Sequence, residues 1–149
     1  IKSLMGMRKI LEQTFKTNLA AGAEVKASNE KKGHKASFII DNDKESYWTS
    51  EEGVESAWLE IELSKEQRFD RALLQENIRI GQRVEEFSLE AWDGKQWIQF
   101  AQGTTIGYKR LLRFSPVTSK KVRLVIAKSR TSPTLSAFGL FKAPLEVSN

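Results

Sequence analysis

The sequence lacks cysteine altogether, and its single histidine is His34. Without a thiol, disulfide cross-links and thiolate chemistry are excluded, and the redox compartment stays open. A serine nucleophile would have to use His34 as its base, but the chain contains no G-x-S-x-G turn. Phosphate-binding, dinucleotide-binding and zinc-protease motifs are also absent. Because His34 lies in the polar stretch "EKKGHKA", we expect it in a surface loop.

Long hydrophobic runs are absent as well, since no apolar stretch approaches the roughly 20 residues that a membrane helix needs. The 149 residues are 40% hydrophobic and 29% charged, which is typical of one globular domain. The net charge of +5 comes from basic residues spread along the chain. They form no stripe interleaved with stacking aromatics, as binding of a single-stranded nucleic acid would require. The composition therefore predicts neither a membrane nor a nucleic-acid partner.

Residues 1–17 have the spacing of an amphipathic helix. Leu4, Met7, Leu11 and Phe15 lie on one face of a 3.6-residue period. A single helix cannot bury such a face alone, and the chain does not start with methionine. We therefore expect residues 1–17 to be a linker helix from an upstream domain, followed by a second unit over residues 18–149.

After "NLAAGA" the hydrophobic period changes from 3.6 to two, which is typical of half-buried strands. Three stretches alternate in this way: residues 57–63, 87–92 and 122–126. Asp93-Gly94 lies between two aromatic-rich stretches and predicts a hairpin, and "RLLRF" and "SAFGLFK" predict further short strands. With turn residues recurring between them, these segments predict an all-β antiparallel sandwich.

Acidic residues are plentiful, but their arrangement does not predict catalysis. A glycosidase needs two carboxyl groups in one pocket with different pKa environments, and sequence-adjacent pairs such as Glu85 and Glu86 do not imply this. The stretch "DNDKESYWTSEE" mimics a calcium loop through Asp41 and Asp43. It fails the EF-hand pattern because Ser46 replaces the turn glycine and no helices flank it. The chain is therefore not expected to be an enzyme by itself.

Longer stretches resemble a known family. "FIIDNDKESYWTS", "AWLEIELSKEQRFDRALLQENI" and "RVEEFSLEAWDGKQWIQFAQGT" resemble the coagulation factor 5/8 C-terminal (discoidin) fold and its family 32 carbohydrate-binding modules. "LLQENIRIGQRVEEFSLEAWDGKQW" resembles, more narrowly, the C-terminal sandwich of bacterial α-L-fucosidases of glycoside hydrolase family 29. This resemblance implies that the catalytic residues lie upstream, that the sandwich supports the catalytic barrel, and that the protein is periplasmic or secreted.

The resemblance also implies a candidate carbohydrate site, because sugar-binding relatives place a histidine, an arginine and an aromatic residue at one end of the sandwich. The matching residues and their neighbours here are His34, Arg83, Tyr108, Glu76, Asn77 and Arg79. A competing hypothesis makes the arginines and glutamates a polar network in which Arg83 pairs with Glu76 or Glu86, Ile78 and Ile80 point inward, and the surface abuts the catalytic domain. We favour the network, because the loop itself contains no aromatic platform.

The relatives that bind calcium combine the Asp-rich turn with a glutamate near the last strand. Here Ala137 stands at the corresponding position, so the set of candidate ligands is reduced to Asp41, Asp43 and Ser46. Hard cations need several oxygen ligands. We therefore expect no required cofactor, with calcium as the single candidate ion.

Overall fold

The computed structural model describes residues 16–43 and 45–144. The helix predicted over residues 1–17 lies outside this part of the chain except for its last two residues, which form a bend. Within these residues the strands are β1 (Glu24–Ala27), β2 (Trp48–Thr49), β3 (Ala57–Gln75), β4 (Val84–Trp92), β5 (Trp97–Gly103), β6 (Arg110–Ser129), β7 (Thr134–Leu135) and β8 (Ala137–Phe141). Two short 3-10 turns span Ala36–Ile40 and Ile78–Ile80. Among the described residues, no helix has the length and apolar character needed to cross a membrane.

Two long strands, β3 and β6, contribute to both layers of an antiparallel sandwich. The first half of β3 pairs with β1 and with the second half of β6, in a layer ordered β1-β3-β6-β4-β5. The second half of β3 pairs with β8 and with the first half of β6. The predicted all-β sandwich is confirmed, although "RLLRF", expected as a separate strand, is the first part of β6.

The buried positions of β3 change from odd-numbered to even-numbered residues along the strand. Leu59 and Ile61 are buried in its first half, whereas Ala72 and Leu74 are buried in its second half. The ladder with β6 shifts register between Phe69 and Arg71, and such an irregularity moves the following side chains to the other face. One chain segment can therefore line the same core from both layers.

The hairpin predicted at Asp93-Gly94 joins β4 to β5. One side-chain oxygen of Asp93 accepts the backbone N–H groups of Lys95 and Gln96, each at 2.8 Å. The Gln96 N–H, followed by that of Lys95, lowers the pKa of the Asp93 carboxyl below its ordinary value of 3.8. These bonds favour the ionised carboxylate and hold the exposed turn in shape.

Candidate functional site

Glu76 is the organising residue at the loop end of the sandwich. It follows β3 and is only 2% exposed. Its Oε1 atom accepts the backbone N–H groups of Arg83 and Val84, at 2.8 and 3.0 Å, and its Oε2 atom accepts that of Gly107 at 2.7 Å. The Glu76 carboxylate therefore fastens both loops to the end of β3. It had been a candidate acceptor for a sugar hydroxyl, but its oxygens are buried and occupied.

Arg83 is held in the loop end by a different contact from the one predicted. Its guanidinium donates to the carbonyl oxygen of Ser132 at 2.8 Å. Its link to Glu76 runs through the backbone N–H, so the predicted ion pairs with Glu76 or Glu86 do not form. Because Ser132 lies in the loop before β7, Arg83 still stabilises a polar network. The partner of the Arg83 guanidinium is a backbone carbonyl instead of a carboxylate, and Glu76 accepts backbone N–H groups instead of a guanidinium.

A groove of about 670 Å³ opens beside these loops. Its walls come from the acidic turn, the end of β3, the Ile78–Ile80 turn and β8. Four of the six predicted sugar-binding residues line it, namely Glu76, Asn77, Arg79 and Tyr108, and of these Glu76 is buried. The structure therefore brings together four of the six candidates, three of them accessible, in a concave surface large enough for a sugar.

Arg79 closes one side of the groove through a contact that the sequence analysis missed. Its guanidinium binds the Glu45 carboxylate in a bidentate ion pair, with distances of 2.6 and 2.9 Å. Both side chains are well exposed, so this pair contributes little to stability. Asn77 orients the Arg79 backbone by accepting its N–H at 3.2 Å. No signal in the sequence indicated Glu45 as the partner, because 34 residues separate it from Arg79.

Ile78 and Ile80 face the opposite way from the prediction. They had been expected to anchor the loop inward, but they are 48% and 41% exposed. Glu76 already fixes the loop through its hydrogen bonds, so the isoleucines are not needed as anchors. Tyr108, which is 67% exposed, lines the same groove as Ile78, and Ile80 belongs to the same turn as Ile78. We call Ile78, Ile80 and Tyr108 the loop-end patch.

His34 lies apart from the groove. Its Nδ1 atom is 3.2 Å from the carbonyl oxygen of Tyr47, and the two rings pack with centroids 4.3 Å apart. Trp92 packs edge-on against Trp97 in the β4–β5 hairpin. The histidine and arginine candidates, His34 and Arg83, therefore do not share the groove with Tyr108.

The acidic turn is closed by its own hydrogen bonds. Asp41 accepts the N–H of Asp43 at 2.9 Å and the hydroxyl of Ser46 at 2.6 Å, while Asp43 accepts the N–H of Glu45. Asn42 adopts a positive φ of 59°, which asparagine tolerates better than most residues. In residues 16–43 and 45–144, no three acidic or histidine side chains gather as metal ligands, and Ala137 offers no carboxylate. The turn fits calcium poorly, and binding of the ion stays a prediction.

Comparison with known proteins identifies what this sandwich is similar to. The model of the F5/8 type C domain matches residues 24–138. Alpha-L-fucosidase 1 of Arabidopsis thaliana is 32% identical over 148 residues, which cover 95% of this chain and 29% of that protein. A family 29 fucosidase of Ruminococcus gnavus, solved in complex with fucose, is 33% identical with a TM-score of 0.84, over 95% of this chain and 30% of that one.

A more distant structure has the same fold at the size of a single module. It is a family 32 carbohydrate-binding module from Clostridium perfringens in complex with GalNAc-β-1,3-galactose. The TM-score is 0.75 with 16% identity, over 84% of this chain and 99% of that one, so the likeness shows the fold alone. The chain spans less than a third of the length of the fucosidase relatives that it matches.

Proposed function

Since the chain belongs to the F5/8 type C domain family, we propose that it is a non-catalytic accessory domain of an α-L-fucosidase. The similarity to fucosidases over nearly the whole chain, together with its small share of their length, supports this context. The catalytic residues of such an enzyme would lie in another domain of the same polypeptide. In this role the sandwich supports the catalytic domain by packing against it.

The observation that carries the proposal is the loop-end patch on an ordered loop. Three of the five large hydrophobic side chains that are exposed among the described residues belong to Ile78, Ile80 and Tyr108. Glu76 fixes the two loops that present them, so docking costs little additional ordering. An apolar surface on a rigid support suits a permanent neighbour within one polypeptide.

The test compares Ile78→Ser with Ile98→Ser, a matched control on β5 that is similarly exposed at 44%. Both variants of this chain should unfold at the same temperature as the parent. In the intact polypeptide, Ile78→Ser should lower the melting temperature or the rate of aryl-fucoside hydrolysis, whereas Ile98→Ser should change neither. Equal behaviour of the two variants in the intact enzyme would contradict docking at the patch.

A second candidate function, binding of neutral glycans, is favoured by the groove itself. Tyr108 offers an exposed ring, and Asn77 and Arg79 offer polar groups beside it. Aromatic rings pack on sugar faces while amides and guanidiniums bind the hydroxyls. Galactose- or fucose-terminated oligosaccharides should then bind this chain, and Tyr108→Ala should weaken binding. Absence of binding at millimolar sugar would leave docking as the role of this surface.

A further inference from the structure

We propose that a second concave site, away from the loop end, binds an anionic group carried by a sugar, either a carboxylate or a sulfate ester. The site lies where the β3–β6 ladder is interrupted. Phe69 pairs with Val117, and the next pair is Arg71 with Arg113. One residue of β3 lies between these pairs, whereas three residues of β6 do, so β6 contains two more residues than β3 over this interval. A cleft of about 660 Å³ lies at this interruption, lined by residues of both strands. We call it the basic cleft.

The charges around the basic cleft are unbalanced. Within the part of the chain that the structure describes, four cationic side chains surround it, from Arg68, Arg71, Arg113 and Lys142. Arg71 and Arg113 are direct cross-strand partners, an arrangement that is unfavourable for like charges. An anion placed between the two arginines would remove this repulsion.

Among the described residues that line the cleft, the one carboxylate is that of Asp70, and it is already engaged. Asp70 accepts the backbone N–H of Ala143 at 2.9 Å through Oδ1, and its Oδ2 lies 3.3 Å from the Arg71 guanidinium. Asp70 therefore offsets one of the four positive charges, that of Arg71, and fixes the chain after β8. The remaining cations are available to a ligand, and guanidinium groups bind carboxylates and sulfates through paired hydrogen bonds.

The shape of the cleft favours a sugar over a flat acidic protein surface. Its volume lies within the usual range of small-molecule sites, about 300–1,000 Å³. Phe114 forms an apolar wall, and its ring is held against Phe69 and Phe100, with centroids 6.2 and 4.6 Å away. A rigid aromatic wall beside cations suits a ring that bears one charge. No described residue lines both this cleft and the loop-end groove, so anion binding here is independent of docking there.

The experiment titrates this chain with 3′-sulfolactose, 3′-sialyllactose and neutral lactose, using calorimetry at low ionic strength. We expect at least one charged sugar to bind at least tenfold more tightly than lactose, and binding to weaken as salt is added. Arg113→Gln should reduce that affinity at least tenfold. Lys120→Gln, which removes an exposed cation outside the cleft, should retain it. Circular dichroism melting checks that both variants fold.

Three results would overturn the proposal. The first is equal affinity, or no binding, for the charged and neutral sugars. The second is an equal loss in the Arg113→Gln and Lys120→Gln variants, which would indicate general surface charge. The third is binding of free sulfate or of a poly-glutamate peptide as tightly as the charged sugars. Free sulfate would indicate an ion site without sugar recognition, and the peptide would indicate an acidic protein partner.

Discussion

The Oε2 atom of Glu76 lies 2.7 Å from the backbone nitrogen of Gly107, and this bond joins two loops that are 31 residues apart. The reverse contact, from the Glu76 N–H to the Gly107 carbonyl, measures 2.9 Å. Gly107 adopts a φ of +70°, in the left-handed region that glycine enters without strain. A buried acid and a glycine thus position Tyr108 at the loop end.

Replacing Glu76 with glutamine should destabilise the fold. The amide NH₂ cannot accept the N–H groups that one carboxylate oxygen now accepts, so a buried donor loses its partner. We expect the free energy of unfolding in urea to fall by about 1–3 kcal/mol. Glu85→Gln, at an exposed position on β4, is the control and should be neutral. Identical urea midpoints for the two variants would contradict the role of Glu76.

Arg83→Ala and Arg79→Ala should differ in their effect on this chain. Arg83 loses a half-buried hydrogen bond to Ser132, with an expected cost of about 1.5 kcal/mol for a charged donor. Arg79 loses only an exposed ion pair, worth about 0–1 kcal/mol. Thermal melting of the two variants checks this order. A larger loss for Arg79→Ala would show that the polar network is assigned to the wrong arginine.

Acidification should remove a stabilising contribution from the β4–β5 hairpin. Because hydrogen bonds from Gln96 and Lys95 lower the pKa of Asp93 in the folded state, its contribution is present above the ordinary value of 3.8 and is lost as the pH falls through the folded pKa. NMR titration should place the Asp93 midpoint below 3.8. In the Asp93→Asn variant, the free energy of unfolding should depend less on pH in this acidic range. A midpoint at or above the ordinary value would refute the assignment.

Gly103 should not tolerate a side chain, although its φ is not in the left-handed region. A Cβ atom there would lie 2.8 Å from two atoms of the Phe87 ring, which is 1% exposed and cannot easily move. We expect Gly103→Ala to cost about 1–3 kcal/mol through overpacking. Gln102→Ala, on the same strand and exposed, is the control for changes in strand propensity. Equal unfolding midpoints would show that the Phe87 ring can shift.

Calcium removal should leave the fold intact. The oxygens of Asp41 already accept hydrogen bonds from Asp43 and Ser46, so the turn is closed without an ion. We expect the same melting temperature in EDTA and in millimolar calcium. A rise in calcium that Asp41→Asn abolishes would show instead that the turn holds the ion. Asp93→Asn, in the unrelated hairpin turn, serves as the control for loss of a carboxylate.

The sequence by itself determined the class of fold and parts of five strands, β3 to β6 and β8, but it did not indicate the short strands β1, β2 and β7. Alternation of apolar residues over residues 57–63, 87–92 and 122–126 has a direct physical cause, since successive side chains of a strand point to opposite faces. Asp93-Gly94 specified the hairpin locally, through turn geometry and short-range hydrogen bonds. The long stretches that resemble discoidin domains indicated the family from the sequence alone.

Only the tertiary structure decided what the loop residues do. Glu76 and Arg83 were recognised as important, but their partners, Gly107 and Ser132, lie 31 and 49 residues away. Ile78 and Ile80 are exposed and not the predicted inward anchors, because the buried Glu76 carboxylate already holds the loop. The basic cleft depends on a register shift that brings Arg71 opposite Arg113. Local patterns encode which side of a strand is apolar, whereas contacts between distant loops depend on how the strands pair.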